Sequence, residues 1–137
     1  MNKVLEIYTD GAARGNPGPA AIAFIFVKNN QIVENGSQYV GSATNNAAEY
    51  KALILALQVA AKRTEEEIKV FSDSQLMIRQ LTNVYEVRKQ HLQEYHKKIQ
   101  SLQQHFEKVH FAHVTRDHQY IQECDRLCNE RLDQKTA

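Results

Sequence analysis

The hydrophobic pattern divides the chain into a strand-rich first third and a remainder in which helices and strands alternate. Val4 to Thr9 is a short apolar segment containing Ile and Tyr, and Ala20 to Lys28 is the strongest strand candidate in the sequence. A turn-rich stretch, Gly11 to Pro19, separates them. Asn29-Asn30 predicts a tight turn, and Gln31 to Val40 the returning strand, with Asn35-Gly36 as a bulge or bend. A helix then starts at Thr44, a good N-cap residue, with Ala47, Ala48, Glu49 and Ala52 in its first turns. Leu53, Leu57, Ala60 and Ala61 recur at three- and four-residue spacing, so one face packs on a sheet, and the helix ends near Arg63. Beyond it the pattern predicts a strand over Ile68–Ser72, a short helix over Ser74–Leu81 and a longer polar helix over His91–Phe106. A strand over Val109–Thr115 and a final helix over Gln122–Leu132 complete it. The order β-β-β-α-β-α-α-β-α implies an α/β protein with a mixed sheet: antiparallel hairpins first, then parallel crossovers whose helices cover the faces.

The 137 residues suit one domain, one able to bury roughly 65–70% of the surface that its unfolded chain exposes. With 42% apolar and 24% charged residues, wholesale disorder is excluded. The longest apolar run, Ala20 to Val27, falls far short of the roughly 20 residues of a membrane helix. Met1-Asn2-Lys3 leads straight into a strand with no apolar signal core, and Cys124 and Cys128 sit four apart in a helical pattern. A monomeric cytoplasmic protein that binds no membrane and packs two reduced thiols is therefore expected. The net charge of +1 argues against gripping nucleic acid by bulk charge, while leaving room for local patches and metal ions.

The carboxylates carry the chemical information. Asp10 is predicted to end the first strand and Asp73 the fourth, and parallel strands would bring both to one sheet edge, where α/β ligand sites lie. Glu49 and Asp125 are predicted in the first turns of the first long helix and the last helix. Singly, each has an ordinary explanation as a turn residue, a cap or a helix-dipole partner. Gathered at one edge, four carboxylates repel one another unless hard divalent cations such as Mg²⁺ or Mn²⁺ neutralise them. Two such ions about 4 Å apart can activate water and stabilise a leaving oxygen in phosphodiester cleavage.

Three segments tie these positions together: Tyr8-Thr-Asp-Gly-Ala-Ala-Arg-Gly-Asn-Pro-Gly-Pro-Ala20, Thr44-Asn-Asn-Ala-Ala-Glu-Tyr50 and Ser72-Asp-Ser-Gln75. In order and approximate spacing they resemble the signature segments of type 1 ribonuclease H, and the likeness covers the whole chain. The resemblance implies a single catalytic domain over residues 1–137 with the ribonuclease H-like fold, a five-stranded mixed sheet with helices on both faces. It implies an endonuclease that hydrolyses the RNA strand of RNA–DNA hybrids with two Mg²⁺ ions, or Mn²⁺ as substitute, leaving 3′-hydroxyl and 5′-phosphate ends. Asp10, Glu49 and Asp73 correspond to metal-binding carboxylates and Asp125 to the fourth. Asn16, Asn45 and Gln75 correspond to minor-groove contacts, and Thr44 to a residue that holds a phosphate of the DNA strand. Amides that both donate and accept suit minor-groove edges and 2′-hydroxyls.

The sequence departs from the family pattern before Asp125. Arg116-Asp-His-Gln-Tyr-Ile-Gln-Glu-Cys-Asp125 is two residues longer than the short family pattern and lacks its Asn, which predicts a lengthened loop. His118 lies in it, either as the mobile histidine that aids product release in some relatives or as a solvated loop residue. The chain has no Trp, and Thr82 to Lys89 resembles the branch without a basic substrate handle. No N-terminal hybrid-binding domain is recognisable. Tyr85, Arg88 and Lys89 would then form a modest patch for the DNA strand, and substrate binding would be weak and salt-sensitive. Two other readings stay open: the same chemistry on double-stranded RNA or RNA–DNA junctions, and a non-catalytic nucleic-acid-binding domain of this fold.

Overall fold

The computed structural model describes residues 4–83 and 86–136. Within them the elements follow in the predicted order: β1 (Leu5–Ala13), β2 (Gly18–Lys28), β3 (Gln31–Ala43), α1 (Asn45–Ala61), β4 (Glu67–Ser72), α2 (Gln75–Leu81), α3 (Gln90–Gln103), β5 (Lys108–His113) and α4 (Gln119–Thr136). The strands form one mixed sheet in the order β3-β2-β1-β4-β5. β1, β2 and β3 pair antiparallel, whereas β4 pairs parallel with both β1 and β5.

The uninterrupted apolar run of β2 is explained by burial on both faces. Phe24 and Phe26 point into a core with Leu53 and Leu57 of α1 and Leu92 and Ile99 of α3. Ala21, Ala23, Ile25 and Val27 meet α4 on the opposite face, against Ile121, Cys124, Cys128 and Leu132. Those four α4 residues recur at helical spacing, and both cysteines are free and fully buried, as packing residues. No helix among the described residues is long and apolar enough to cross a membrane.

Two boundaries differ from the sequence reading in ways that move a site residue, the end of β1 and the start of α4. β1 continues through Ala13, because Asp10–Ala13 pair with Ala20–Ala23 of β2 rather than turning away. Asp10 is therefore inside a strand, not at its end. Glu49 lies beyond the first turn of α1, and Asp125 is a full turn into α4, because that helix begins at Gln119. The predicted long loop before Asp125 is mostly helix, capped by His118, whose carbonyl accepts the Gln122 N–H at 2.9 Å. In β3 the extra residues fall at Val33 and Val40 rather than at Asn35-Gly36, which stay in register opposite Ile25 and Phe24. The Asn29-Asn30 turn is as predicted, with both residues in the left-handed region at φ 52° and 62°.

Candidate active site

Strand register brings the first two carboxylates together. Tyr8 is opposite Phe71 in the parallel β1–β4 pair, so Asp10 and Asp73, each two residues further along, reach the same end of neighbouring strands. Residues in register on parallel neighbours share a face about 4.8 Å apart. β4 stops at Ser72, and Ser74 turns the chain into α2 by accepting the Met77 N–H at 3.3 Å. Glu49 arrives from α1, whose start is fixed by Thr44: its hydroxyl accepts the Ala47 N–H at 3.1 Å. The helix sits so close to β1 that a Cβ on Gly11 would lie 2.4 Å from the carbonyl carbon of Ala48. That closeness lets the Glu49 carboxylate accept the Gly11 N–H at 2.8 Å. One oxygen from each of Asp10, Glu49 and Asp73 lies within 4.8 Å of the others. Asp125 lines the same open cavity, of about 580 Å³, from the other side of the sheet, outside this tight trio.

Burial and mutual repulsion make full ionisation of the cluster unfavourable. Asp10, only 6% exposed, has its pKa pushed up to about 8, first by burial and then by the charges of Asp73 and Asp125. Glu49 is driven well above the usual carboxylate range by burial and by Asp10 and Asp73. Asp73 Oδ1 is buried with no hydrogen-bond partner, and Oδ2 makes a loose contact at 3.7 Å with Arg116 Nε. An orphaned buried oxygen among crowded carboxylates fits a hard divalent cation, which would satisfy the acceptor and relieve the repulsion.

This has a measurable consequence. A free carboxyl titrates near 4 and Asp10 near 8, so between these values the native chain holds more protons than the unfolded one. Stability of the metal-free protein should therefore fall as pH rises from about 4 to 8, and Mg²⁺ should restore it mainly at the upper end. Melting curves with Mg²⁺ and with chelator are expected to separate by about 5 °C at pH 8 and to coincide near pH 5. Equal separation at both values would contradict the assignment.

The remaining candidates divide into those at the cleft and those away from it. Asn45 lines the cavity, accepts the Ala13 N–H on its side-chain oxygen at 3.1 Å, and donates its own N–H to Asn16 Oδ1 at 3.0 Å. Thr44 is half-buried in its capping role, and Gln75 opens α2 with its side chain exposed. Arg88 and Lys89 are exposed ahead of α3 and do not line the cavity; Arg88 contacts Glu86 at 3.4 Å. Tyr85 lies outside the described residues. His118 is not among the lining residues either: its Nδ1 accepts the Tyr120 N–H at 3.2 Å and its ring stacks on Tyr8 at 4.9 Å. The basic residue that this segment does bring to the cavity is Arg116, which the sequence reading passed over. Its signal was available in the topology. β5 runs parallel to β4 with His113 opposite Ser72, so the segment after His113 leaves the sheet beside Asp73.

With this geometry in place, comparison with known proteins is decisive. The family described as reverse transcriptase-like matches residues 8–129. A crystal structure of RNase H1 from the halophilic archaeon Halobacterium salinarum superposes with a TM-score of 0.90 at 39% identity, covering 96% of this chain and 98% of that one. The chain belongs to the type 1 ribonuclease H family. Its ribonuclease H fold is shared at a TM-score of 0.91 and 35% identity with LC11-RNase H1, solved in complex with an RNA/DNA hybrid, over 97% of this chain and 99% of that one. The curated ribonuclease HI of H. salinarum is 40% identical over 130 residues, 94% of this chain. The bifunctional protein Rv2228c of Mycobacterium tuberculosis is 33% identical over 135 residues, 97% of this chain. The chain spans 64% of the former's length and 36% of the latter's. The ribonuclease H family is metal-dependent, in keeping with the trio of Asp10, Glu49 and Asp73.

Proposed function

We propose that this chain is an endonuclease that hydrolyses the RNA strand of RNA–DNA hybrids, leaving 3′-hydroxyl and 5′-phosphate ends. The observation that carries the reading is the convergence of Asp10, Glu49 and Asp73 on one point, with an orphaned buried oxygen on Asp73. Asp10, Glu49, Asp73 and Asp125 would hold two Mg²⁺ ions, or Mn²⁺ in their place. Bound there, the pair would supply activation of the attacking water and charge stabilisation at the leaving oxygen.

The protein's own residues supply position and selectivity. Asn16 and Asn45 use their side-chain oxygens to hold the β1–β2 turn against the start of α1, which leaves their amide NH₂ groups for acceptors on a minor-groove edge or a 2′-hydroxyl. The Thr44 hydroxyl, which accepts from Ala47 and keeps its own hydrogen to donate, suits a phosphate of the DNA strand, and Gln75 extends the polar surface on the Asp73 side. Glu49, whose carboxylate is anchored on Gly11, would also sense the 2′-hydroxyl next to the scissile phosphate. Arg88 and Lys89 belong to a thin basic patch, so binding should be salt-sensitive. The buried thiols of Cys124 and Cys128, in no disulfide, accord with a reducing cytoplasmic setting.

Arg116 is the single cation among the described lining residues and lies 3.7 Å from Asp73, within reach of a phosphate that would bind beside that carboxylate. Arg116→Ala should lower kcat on a hybrid about tenfold, because one charge-assisted contact to the reacting phosphate is lost. Unchanged turnover would remove Arg116 from the site.

The functional reading is tested on strand-labelled hybrid, RNA duplex and DNA duplex with Mg²⁺, Mn²⁺ or chelator. Cleavage of the RNA strand of the hybrid alone, lost with chelator, is expected. Preferential cleavage of the RNA duplex would transfer the chemistry to that substrate. Hybrid that is bound but intact under both ions would make the chain a binding domain.

A further inference from the structure

Arg14 lies in the turn between β1 and β2 and reaches to the far end of the chain. Its Nη2 donates to Asn129 Oδ1 at 3.1 Å and to Asp133 Oδ1 at 2.6 Å, both on α4. An ion pair this exposed is ordinarily worth little on its own. What distinguishes it is the set of groups at its two ends.

On the turn side, the backbone around Arg14 is closed tightly. The Arg14 N–H donates to the Pro19 carbonyl at 2.8 Å, and a Cβ on Gly18 would fall 2.2 Å from the Arg14 oxygen. Asn16, two residues on, caps α1 through the Asn45 N–H, and Asn45 returns the contact to Ala13. The turn and the start of α1 therefore move as one piece, and that piece carries both amides assigned to the minor groove. On the helix side, Asn129 and Asp133 lie one and two turns beyond Asp125, on the same face of α4. The Asn129 amide donates to the Asp125 carbonyl at 3.0 Å while its oxygen takes Arg14, so one side chain bridges the carboxylate's own backbone and the turn.

We propose that Arg14 is a positioning residue that locks the hybrid-contacting turn to the helix bearing Asp125, and so sets substrate affinity from outside the cleft. This rests on the assignment of Asn16 and Asn45 as hybrid contacts. Both bonds leave one nitrogen, Nη2, whose two N–H groups the planar guanidinium holds in a fixed direction, whereas a lysine ammonium is shorter in reach and free to rotate on its stem.

The experiment compares Arg14→Ala, Arg14→Lys, Asp133→Ala and the exchanged pair Arg14→Asp with Asp133→Arg. Steady-state cleavage of a hybrid in Mg²⁺ is combined with amide hydrogen exchange at Ala13 and Asn45. Both alanine variants should raise KM about 3- to 5-fold, with kcat within about twofold of the parent. The lysine variant should fall between, and the exchanged pair should recover most of the lost affinity. The Ala13 and Asn45 amides should exchange faster in each single variant and return in the exchanged pair. Unchanged KM and exchange in the alanine variants would overturn the proposal, as would a KM in the exchanged pair no better than that of Arg14→Ala. A lower KM in Asp133→Ala would also overturn it, since Asp133 would then be withholding Arg14 from a phosphate. If the parent protein neither binds nor cleaves hybrid, the functional reading fails, and the exchange data still decide whether Arg14 locks the turn.

Discussion

Asp10→Asn is expected to abolish cleavage of a hybrid and, in the absence of divalent ions, to make the protein more stable. The loss of activity should reach about a thousandfold, since the substitution removes the carboxylate at the centre of the cluster. The gain in stability has a separate cause. Asp10 is buried beside Glu49, Asp73 and Asp125, and its charged form is disfavoured by burial and repulsion. An amide of the same shape keeps the packing and removes the charge. At pH 9, where Asp10 of the parent must be ionised, the variant should melt about 5 °C higher in chelator. Near pH 5 the parent already carries a neutral Asp10, and the difference should vanish. With Mg²⁺ the order should reverse, because only the parent retains the full ligand set. Residual cleavage near the parent level, or a variant less stable than the parent at pH 9 in chelator, would refute this description of the cluster.

Gly11→Ala carries the second large effect, through the backbone alone. The added methyl would sit 2.4 to 2.7 Å from Ala48 C, Ala48 O and Glu49 N, all main-chain atoms that no rotamer change can clear. α1 would have to lift away from β1, withdrawing Glu49 from the Gly11 N–H and from the other carboxylates. A loss of about 3 kcal/mol or more is expected, with a melting temperature lower by about 10 °C. Activity should fall far more than the unfolded fraction at assay temperature explains. A variant with normal stability and turnover would mean that α1 and β1 are not packed as described.

The sequence reveals these features unevenly, for physical reasons. Strand and helix order was readable because burial imposes a period: β2 is apolar on both faces, and α4 carries Ile121, Cys124, Cys128 and Leu132 at helical spacing. Chain ends of elements were harder. Gly11, Ala12 and Ala13 have weak strand preference, and only the facing Ala20–Ala23 segment of β2 draws them into the sheet. α4 begins early because the His118 carbonyl and ring serve as its cap, a tertiary arrangement in which the ring also packs on Tyr8. The same event converts the predicted lengthened loop into helix and places His118 against the sheet. Asp10, Glu49 and Asp73 could be anticipated from motif and register together. Arg116 could not be anticipated from residue type, because an exposed loop arginine has no local signature; only the parallel β4–β5 register places it beside Asp73. Arg14 presents the same difficulty, since its partners are 115 and 119 residues away.

The most direct measurement is an anomalous-scattering map of crystals grown with Mn²⁺ and a non-cleavable RNA–DNA hybrid analogue, using the Asp73→Asn variant alongside the parent. The account predicts manganese peaks among the carboxylates of Asp10, Glu49, Asp73 and Asp125 in the parent, adjacent to a phosphate of the RNA strand, with occupancy lost or sharply reduced in the variant. A hybrid seated in the cleft with no manganese between those carboxylates, or manganese bound there equally in both proteins, would contradict it.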